Sequence, residues 1–300
     1  MEILKKVFSE EMQNQETDEF FLIQFVWELY ENLSNPFSLK KQIIKYGAPG
    51  TGKTFQARQQ TSLLFDIWKE EFAPDTDFTH QGQIELVQFH PSFSYEDFIE
   101  GLRPILDENG QAQLTLQNGI FKEFCLKAGK WEIDVFNLHL DKEWDEIKIL
   151  DLHPYKDQLS NSYWDYIFRV EDQTKLVSNA IPPFFFIIDE INRAELSRVF
   201  GELMYCLEYR GVKGSVKTQY TNLNTNKTGM LELGQTYQFF IPTNIYLIGT
   251  MNTIDRSVES FDFALRRRFS WQEVKPDTRL LKFYLSEHCA KWIELASSLE

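Results

Sequence analysis

Three hundred residues with 43% hydrophobic content can build one large globular domain, or two small ones, around a real core. A formal net charge of −14 excludes a surface that is a duplex-DNA grip throughout, because neutralising phosphates needs a concentrated basic face. Cys125, Cys206 and Cys289 are far apart and outside any C-x-x-C spacing, which excludes a disulfide framework and a thiolate zinc site and suits a reducing compartment. No run approaches the roughly 18 apolar residues of a membrane helix, so a cytoplasmic protein without membrane contact is expected.

In chain order, residues 1 to 40 carry Phe20, Phe21, Ile23, Phe25, Val26 and Leu29 at spacings that predict an N-terminal helical segment, ended by Asn35-Pro36. Gln42 to Tyr46 predicts a strand, and Phe55 to Phe72 a helix with no breaker before Pro74. Ile84 to Phe89 reads as a second strand. Arg103 to Leu106 and Ala112 to Leu116 flank Asp107-Glu108-Asn109-Gly110, an Asn-Gly signal for an inserted hairpin. Phe121 to Ala128 predicts a short helix stopped by Gly129.

From Lys130 to Ala180 periodicity fades while Trp131, Trp144, Tyr155, Tyr163, Trp164 and Tyr166 accumulate among acids. So many aromatics predict a folded insertion, with an aromatic surface for docking a partner as the sharper alternative. Phe184 to Ile188 is the continuous apolar run of a central parallel strand buried on both faces. Glu195 to Glu208 predicts a helix, Asn244 to Gly249 a strand, and Val258 to Leu265 a further helix. Between them, Gly211 to Lys217 reads as a basic solvated hairpin or, in a ring, a loop lining the pore. Strands alternating with helices give an α/β fold, a parallel sheet sandwiched by helices.

The chemistry concentrates at strand ends. Gly47-Ala48-Pro49-Gly50-Thr51-Gly52-Lys53-Thr54 is the phosphate-binding pattern G-x-x-x-x-G-K-T between a predicted strand and a predicted helix. Its glycines let backbone N–H groups turn inward around a polyphosphate, Lys53 brings an ammonium to the outer phosphates, and Thr54 offers a hydroxyl to Mg²⁺. Asp189-Glu190 ends the apolar strand, where Asp189 would hold Mg²⁺ and Glu190 would orient or polarise the attacking water. Asn252, after the next strand, is a neutral amide able to hold both the γ-phosphate and that water. Asp255 either orients the water or caps a turn. Arg266-Arg267-Arg268 exceed what a helix dipole needs, and one arginine supplied across a subunit interface can accelerate phosphoryl transfer by about 10³ to 10⁵. His80, His90, His139, His153 and His288 have no metal-ligand spacing.

Taken together, Gly47 to Thr54, Val87 to Phe98, Phe186 to Ala194, Met251 to Ser257 and Ala264 to Phe269 resemble McrB, the AAA+ motor of 5-methylcytosine-specific McrBC-type restriction systems, within the dynein-related AAA+ group. The M-N-x-x-D-R-S block is the most specific element. The resemblance implies an AAA+ domain over residues 41–274 with an insertion at 130–181, and a short or truncated helical lid beginning at 275–300. It further implies a ring, usually a hexamer, that hydrolyses GTP or ATP with Mg²⁺ and associates with an McrC-like endonuclease subunit. Gly47, Ala48, Pro49, Gly50, Thr51, Gly52, Lys53, Thr54 and Asp189 would bind the nucleotide and its metal. Glu190, Asn252 and Asp255 would serve catalysis, with Arg267 or Arg268 as the finger. Family members usually carry a DNA-reading domain before the motor, where this sequence has about forty residues, so DNA is expected to be engaged indirectly. A MoxR-like chaperone motor acting on protein and a non-hydrolysing, nucleotide-gated assembly module are the rival expectations.

Overall fold

Alternation of strands with helices along the chain sets the architecture of the computed structural model. It describes residues 40–74, 76, 82–106, 110–160, 163–254 and 263–275. The expected N-terminal helical segment, Asp255 with Arg256 and Ser257 of its signature block, most of the predicted helix from Val258, and the expected lid lie outside these residues.

Strand β1 (Gln42–Gly47) leads into helix α1 (Lys53–Phe72), followed by β2 (Ile84–Gln88) and the single-turn α2 (Tyr95–Phe98). The hairpin β3 (Glu100–Leu106) and β4 (Ala112–Asn118) precedes α3 (Ile120–Phe136). Short helices α4 (Ile149–Leu152), α5 (Trp164–Ile167) and α6 (Val177–Ala180) build the insertion before β5 (Phe184–Asp189). Then come α7 (Leu196–Phe200), α8 (Leu203–Glu208), the small pair β6 (Leu231–Leu233) and β7 (Thr236–Gln238), β8 (Ile245–Asn252), α9 (Phe263–Arg266) and β9 (Ser270–Glu273).

Five strands form one parallel sheet in the order β2-β5-β8-β1-β9. Successive strands β2, β5 and β8 approach β1 from one side and β9 lies on the other, so the chain direction switches beside β1, the position where open α/β sheets bind ligands. Along β5, Phe184, Phe186 and Ile188 face a core with Phe98, Phe121, Phe124 and Phe200. The alternate residue Phe185 joins Phe65 and Trp68 of α1 on the other face, while Ile187 meets Ala57. Burial on both faces is why this strand reads as an unbroken apolar run rather than an alternating one.

Gly129 does not end a helix. It sits inside α3, where an added Cβ would lie 2.4 Å from Met230 Cε and 3.2 Å from Pro242 Cγ. Its absent side chain serves close packing, so the predicted stop is corrected and the helix runs on into the insertion. The predicted helix from Glu195 to Glu208 is likewise two helices, broken at Gly201 with φ 46°. Gly211 to Lys217 forms no hairpin: Val212–Gly214 is one 3-10 turn, fixed by Val212 N–H donating to Glu132 at 2.8 Å.

The insertion packs its large aromatics inward. Trp131 and Trp164 are buried with ring centroids 4.9 Å apart, and the Trp164 indole donates to Asp134 at 2.9 Å. Ser160 donates to the other Asp134 oxygen at 2.6 Å, which ties residue 160 back to α3. Tyr163 alone among the expected docking aromatics is a large exposed ring.

At the hairpin foot, Lys122 of α3 forms a buried ion pair with Glu100 and donates to Asn224 Oδ1 at 2.8 Å. Glu100 also accepts from Tyr220 N–H at 3.2 Å and Asn224 Nδ2 at 3.0 Å. Burial alone would raise the Glu100 carboxyl, but Lys122 first, then Thr218 and Asn224, hold it below its ordinary value. Lys122→Met is expected to lower the unfolding free energy by about 3–5 kcal/mol, because the carboxylate stays buried without its cation. Denaturant titration reads this directly, and a loss under 1 kcal/mol, about the worth of an exposed pair, would show that the pair is not structural.

Candidate nucleotide-binding site

Three neighbouring strands deliver the site. β1 ends in Gly47, β5 in Asp189 and β8 in Asn252, with Gly47 and Asn252 directly paired across the parallel ladder. All lie at the carboxyl edge of the sheet, beside the direction switch.

The loop from Gly47 to Gly52 uses its glycines differently. Gly50 and Gly52 have φ of 77° and 80°, a left-handed backbone that disfavours any side chain, and nothing lies within 4 Å of where a Cβ would stand. At Gly47 the reason is steric, since a Cβ would sit 2.4 Å from Val274 O beyond β9. α1 then begins with no side-chain cap and no acid in its first turn, so its first N–H groups and positive dipole end remain open to an anion.

Lys53 is buried and folds back on the loop, donating to Ala48 O at 2.7 Å and Gly47 O at 3.2 Å. Burial lowers its ammonium from the ordinary lysine value, and the charges of Glu190 and Asp189 act against that shift. Thr54 Oγ1 donates to Asp189 Oδ1 at 2.6 Å, and Thr250 Oγ1 donates to the same oxygen at 2.5 Å. The loop's threonine and the strand's carboxylate are thereby adjacent.

Glu190 is one of two non-glycine residues among those described with positive φ, at 53°. A left-handed backbone there costs on the order of 1–3 kcal/mol and turns the side chain off the strand direction. Its N–H lies 3.3 Å from Thr250 Oγ1, and Asn252 Nδ2 donates to Oε1 at 2.5 Å. The second oxygen, Oε2, is buried and accepts no hydrogen bond, with Arg193 Nε 3.5 Å away. A carboxylate oxygen that is ion-paired but accepts no hydrogen bond is an acceptor suited to a polarised water.

This donor set fits a magnesium nucleotide. Backbone N–H groups and Lys53 match phosphate, while Thr54 and Asp189 present the oxygen ligands that a hard cation takes.

The arginines lie elsewhere. The turn after α9 sits at the start of β1, and five residues of strand put it about 16 Å from the loop at the other end. Arg267 is 67% exposed, 3.6 Å from Glu208 Oε2, whereas Arg268 is 12% exposed and 3.0 Å from the same oxygen. Asp255 lies outside the described residues.

Thr250 and Arg193 were not anticipated. Thr250 follows Gly249, which pairs with Ile188, so strand register places it level with Asp189. Only knowledge of which strands are neighbours would have found it.

A phosphate loop on the strand at the switch point, with an acidic pair and a polar amide at the ends of the next two strands, defines a P-loop NTPase domain of the AAA+ class. The AAA domain (dynein-related subfamily) family model matches residues 164–269, a span holding Asp189, Glu190, Asn252, Arg267 and Arg268. The chain is similar to McrB: the "Type IV methyl-directed restriction enzyme EcoKMcrB subunit" of Escherichia coli (strain K12) is 36% identical over 248 residues, 82% of this chain and 38% of that protein. The "Type II restriction enzyme BsuMI component YdiS" of Bacillus subtilis (strain 168) is 25% identical over 252 residues, 79% of this chain and 58% of its own length. The chain therefore spans less than two thirds of either relative. Among solved structures, a Cytophaga hutchinsonii protein named only provisionally as an ATPase covers 94% of this chain at 12% identity and a TM-score of 0.38, too remote to add to the assignment. Among the described residues no helix is long and apolar enough to cross a membrane.

Proposed function

We propose that this domain binds and hydrolyses GTP or ATP with Mg²⁺ as the motor of a cytoplasmic restriction system, assembling into a ring, usually a hexamer in the family, and driving an McrC-like endonuclease subunit. DNA would be engaged through the assembled complex. The observation that carries the hydrolytic part is the junction of Thr54 with Asp189 at 2.6 Å beside a Glu190 whose Oε2 is buried without a hydrogen bond, 3.5 Å from Arg193 Nε. The restriction context draws on the two relatives and the partial span they share with this chain.

In this reading Lys53 and the loop N–H groups bind the β- and γ-phosphates, and Thr54 with Asp189 hold the metal, which supplies charge neutralisation on the phosphates. Glu190 accepts a proton from, or orients, the attacking water, and Asn252 holds Glu190 in line. The AAA+ unit spans residues 41–274, with residues 130–181 inserted and residues 275–300 opening a lid.

Because the arginine turn is far from its own loop, we assign Arg267, the exposed member, as the cation given to a neighbouring copy. Arg267→Ala is expected to bind nucleotide normally and to lose about 10³-fold or more in turnover. The same assay, run with GTP and with ATP across protein concentration, should show specific activity rising steeply with concentration. Turnover unchanged in the variant, or independent of concentration, rejects completion by a neighbour.

A further inference from the structure

Each of the three carbonyls of the arginine turn accepts a hydrogen bond from a side chain outside α9. Arg266 O accepts from Trp271 Nε1 at 3.0 Å, Arg267 O from Lys40 Nζ, and Arg268 O from Gln42 Nε2 at 2.7 Å. Arg266 O is the last carbonyl of α9 and the other two lie just beyond it, so none has a partner within the helix and these bonds decide how the chain leaves α9 and where the guanidinium groups begin.

Gln42 differs from the other two donors. It is 5% exposed and its whole amide is engaged: Nε2 donates also to Leu207 O at 2.9 Å, and Oε1 accepts from Arg210 Nη2 at 2.6 Å. Leu207 precedes Glu208, the acid paired with both Arg267 and Arg268. Gln42 is also the first residue of β1, the strand whose last residue opens the phosphate loop. A planar amide offering two donor protons and an acceptor joins the end of α8, the arginine turn and that strand.

We propose that Gln42 is a positioning residue for the arginine supplied in trans. It fixes the arginine turn to the foot of β1, so the cation offered to the neighbouring copy is held in register with the subunit's own phosphate loop. This rests on the reading of Arg267 as a trans-acting group.

Gln42→Met keeps the volume and removes all three hydrogen bonds, while Gln42→Glu keeps an acceptor for Arg210 and removes the two donated bonds. Each variant is expected to bind nucleotide with unchanged affinity and to turn over about 10- to 10²-fold more slowly, as a displacement of roughly 1 Å produces. Mixing decides between misplaced arginines and a damaged pocket. Glu190→Gln subunits keep their arginines but lose about 10²- to 10⁴-fold in turnover, whereas Gln42 variants keep a working pocket. An equimolar mixture of the two should recover turnover, as should Arg267→Ala mixed with Glu190→Gln. Normal turnover of the Gln42 variants alone overturns the proposal. So does slow turnover that mixing leaves unrestored while the Arg267→Ala mixture recovers. Failure of the Arg267→Ala mixture rejects the trans reading beneath it instead. Should Gln42→Met prove unfolded by thermal scan, Gln42→Glu carries the same mixing experiment.

Discussion

Lys53→Ala is expected to weaken nucleotide binding by about 10²-fold or more, to the point where turnover is undetectable at millimolar nucleotide. A buried ammonium bonded to phosphate contributes roughly 2–5 kcal/mol when its partner is desolvated, and each 1.4 kcal/mol is a factor of ten. The substitution also removes the lysine's bonds to Gly47 O and Ala48 O. Those are carbonyls of a partly solvated loop, so the unfolding midpoint should shift by only about 1 kcal/mol equivalent. Calorimetric titration with a non-hydrolysable triphosphate, paired with a thermal scan, separates the two effects. Full affinity in a folded Lys53→Ala protein would remove the loop from the site.

Glu190→Gln should behave in the opposite way, with nucleotide affinity kept and turnover reduced by about 10²- to 10⁴-fold, the usual worth of a positioned general base. The amide is nearly isosteric, and its carbonyl oxygen can still accept from Asn252 Nδ2, which bonds Glu190 at 2.5 Å. What disappears is the charge on Oε2, the oxygen that is buried without a hydrogen bond. Single-turnover kinetics and a binding titration on one preparation would show the split. Turnover within a fewfold of the parent protein would exclude Glu190 as the group acting on water.

Local chemistry made much of the fold and the candidate site legible. The phosphate loop is a contiguous pattern whose residue types are dictated by backbone geometry, and β5 betrays its burial by Phe184-Phe185-Phe186-Ile187-Ile188. Features that depend on which distant segments meet could not be read the same way. Gly129 has the residue type of a helix stop, yet it is a glycine because Met230 and Pro242 press against α3. Gly201 breaks a run with helical periodicity because the chain takes φ 46° where the Tyr95 ring packs. Thr250 and Gln42 are ordinary strand residues in sequence. They matter because β8 lies beside β5 and because the arginine turn folds onto the start of β1.

The unbroken course of α3 through Gly129 has a mechanical meaning. Its 17 residues make a stiff rod of about 25 Å, with the β3–β4 hairpin rooted at one end and the aromatic insertion at the other. A glycine pivot midway would have let either appendage swing alone. Wedged against Met230, that glycine denies the pivot, and the helix joins the foot of the hairpin to the insertion as one continuous piece.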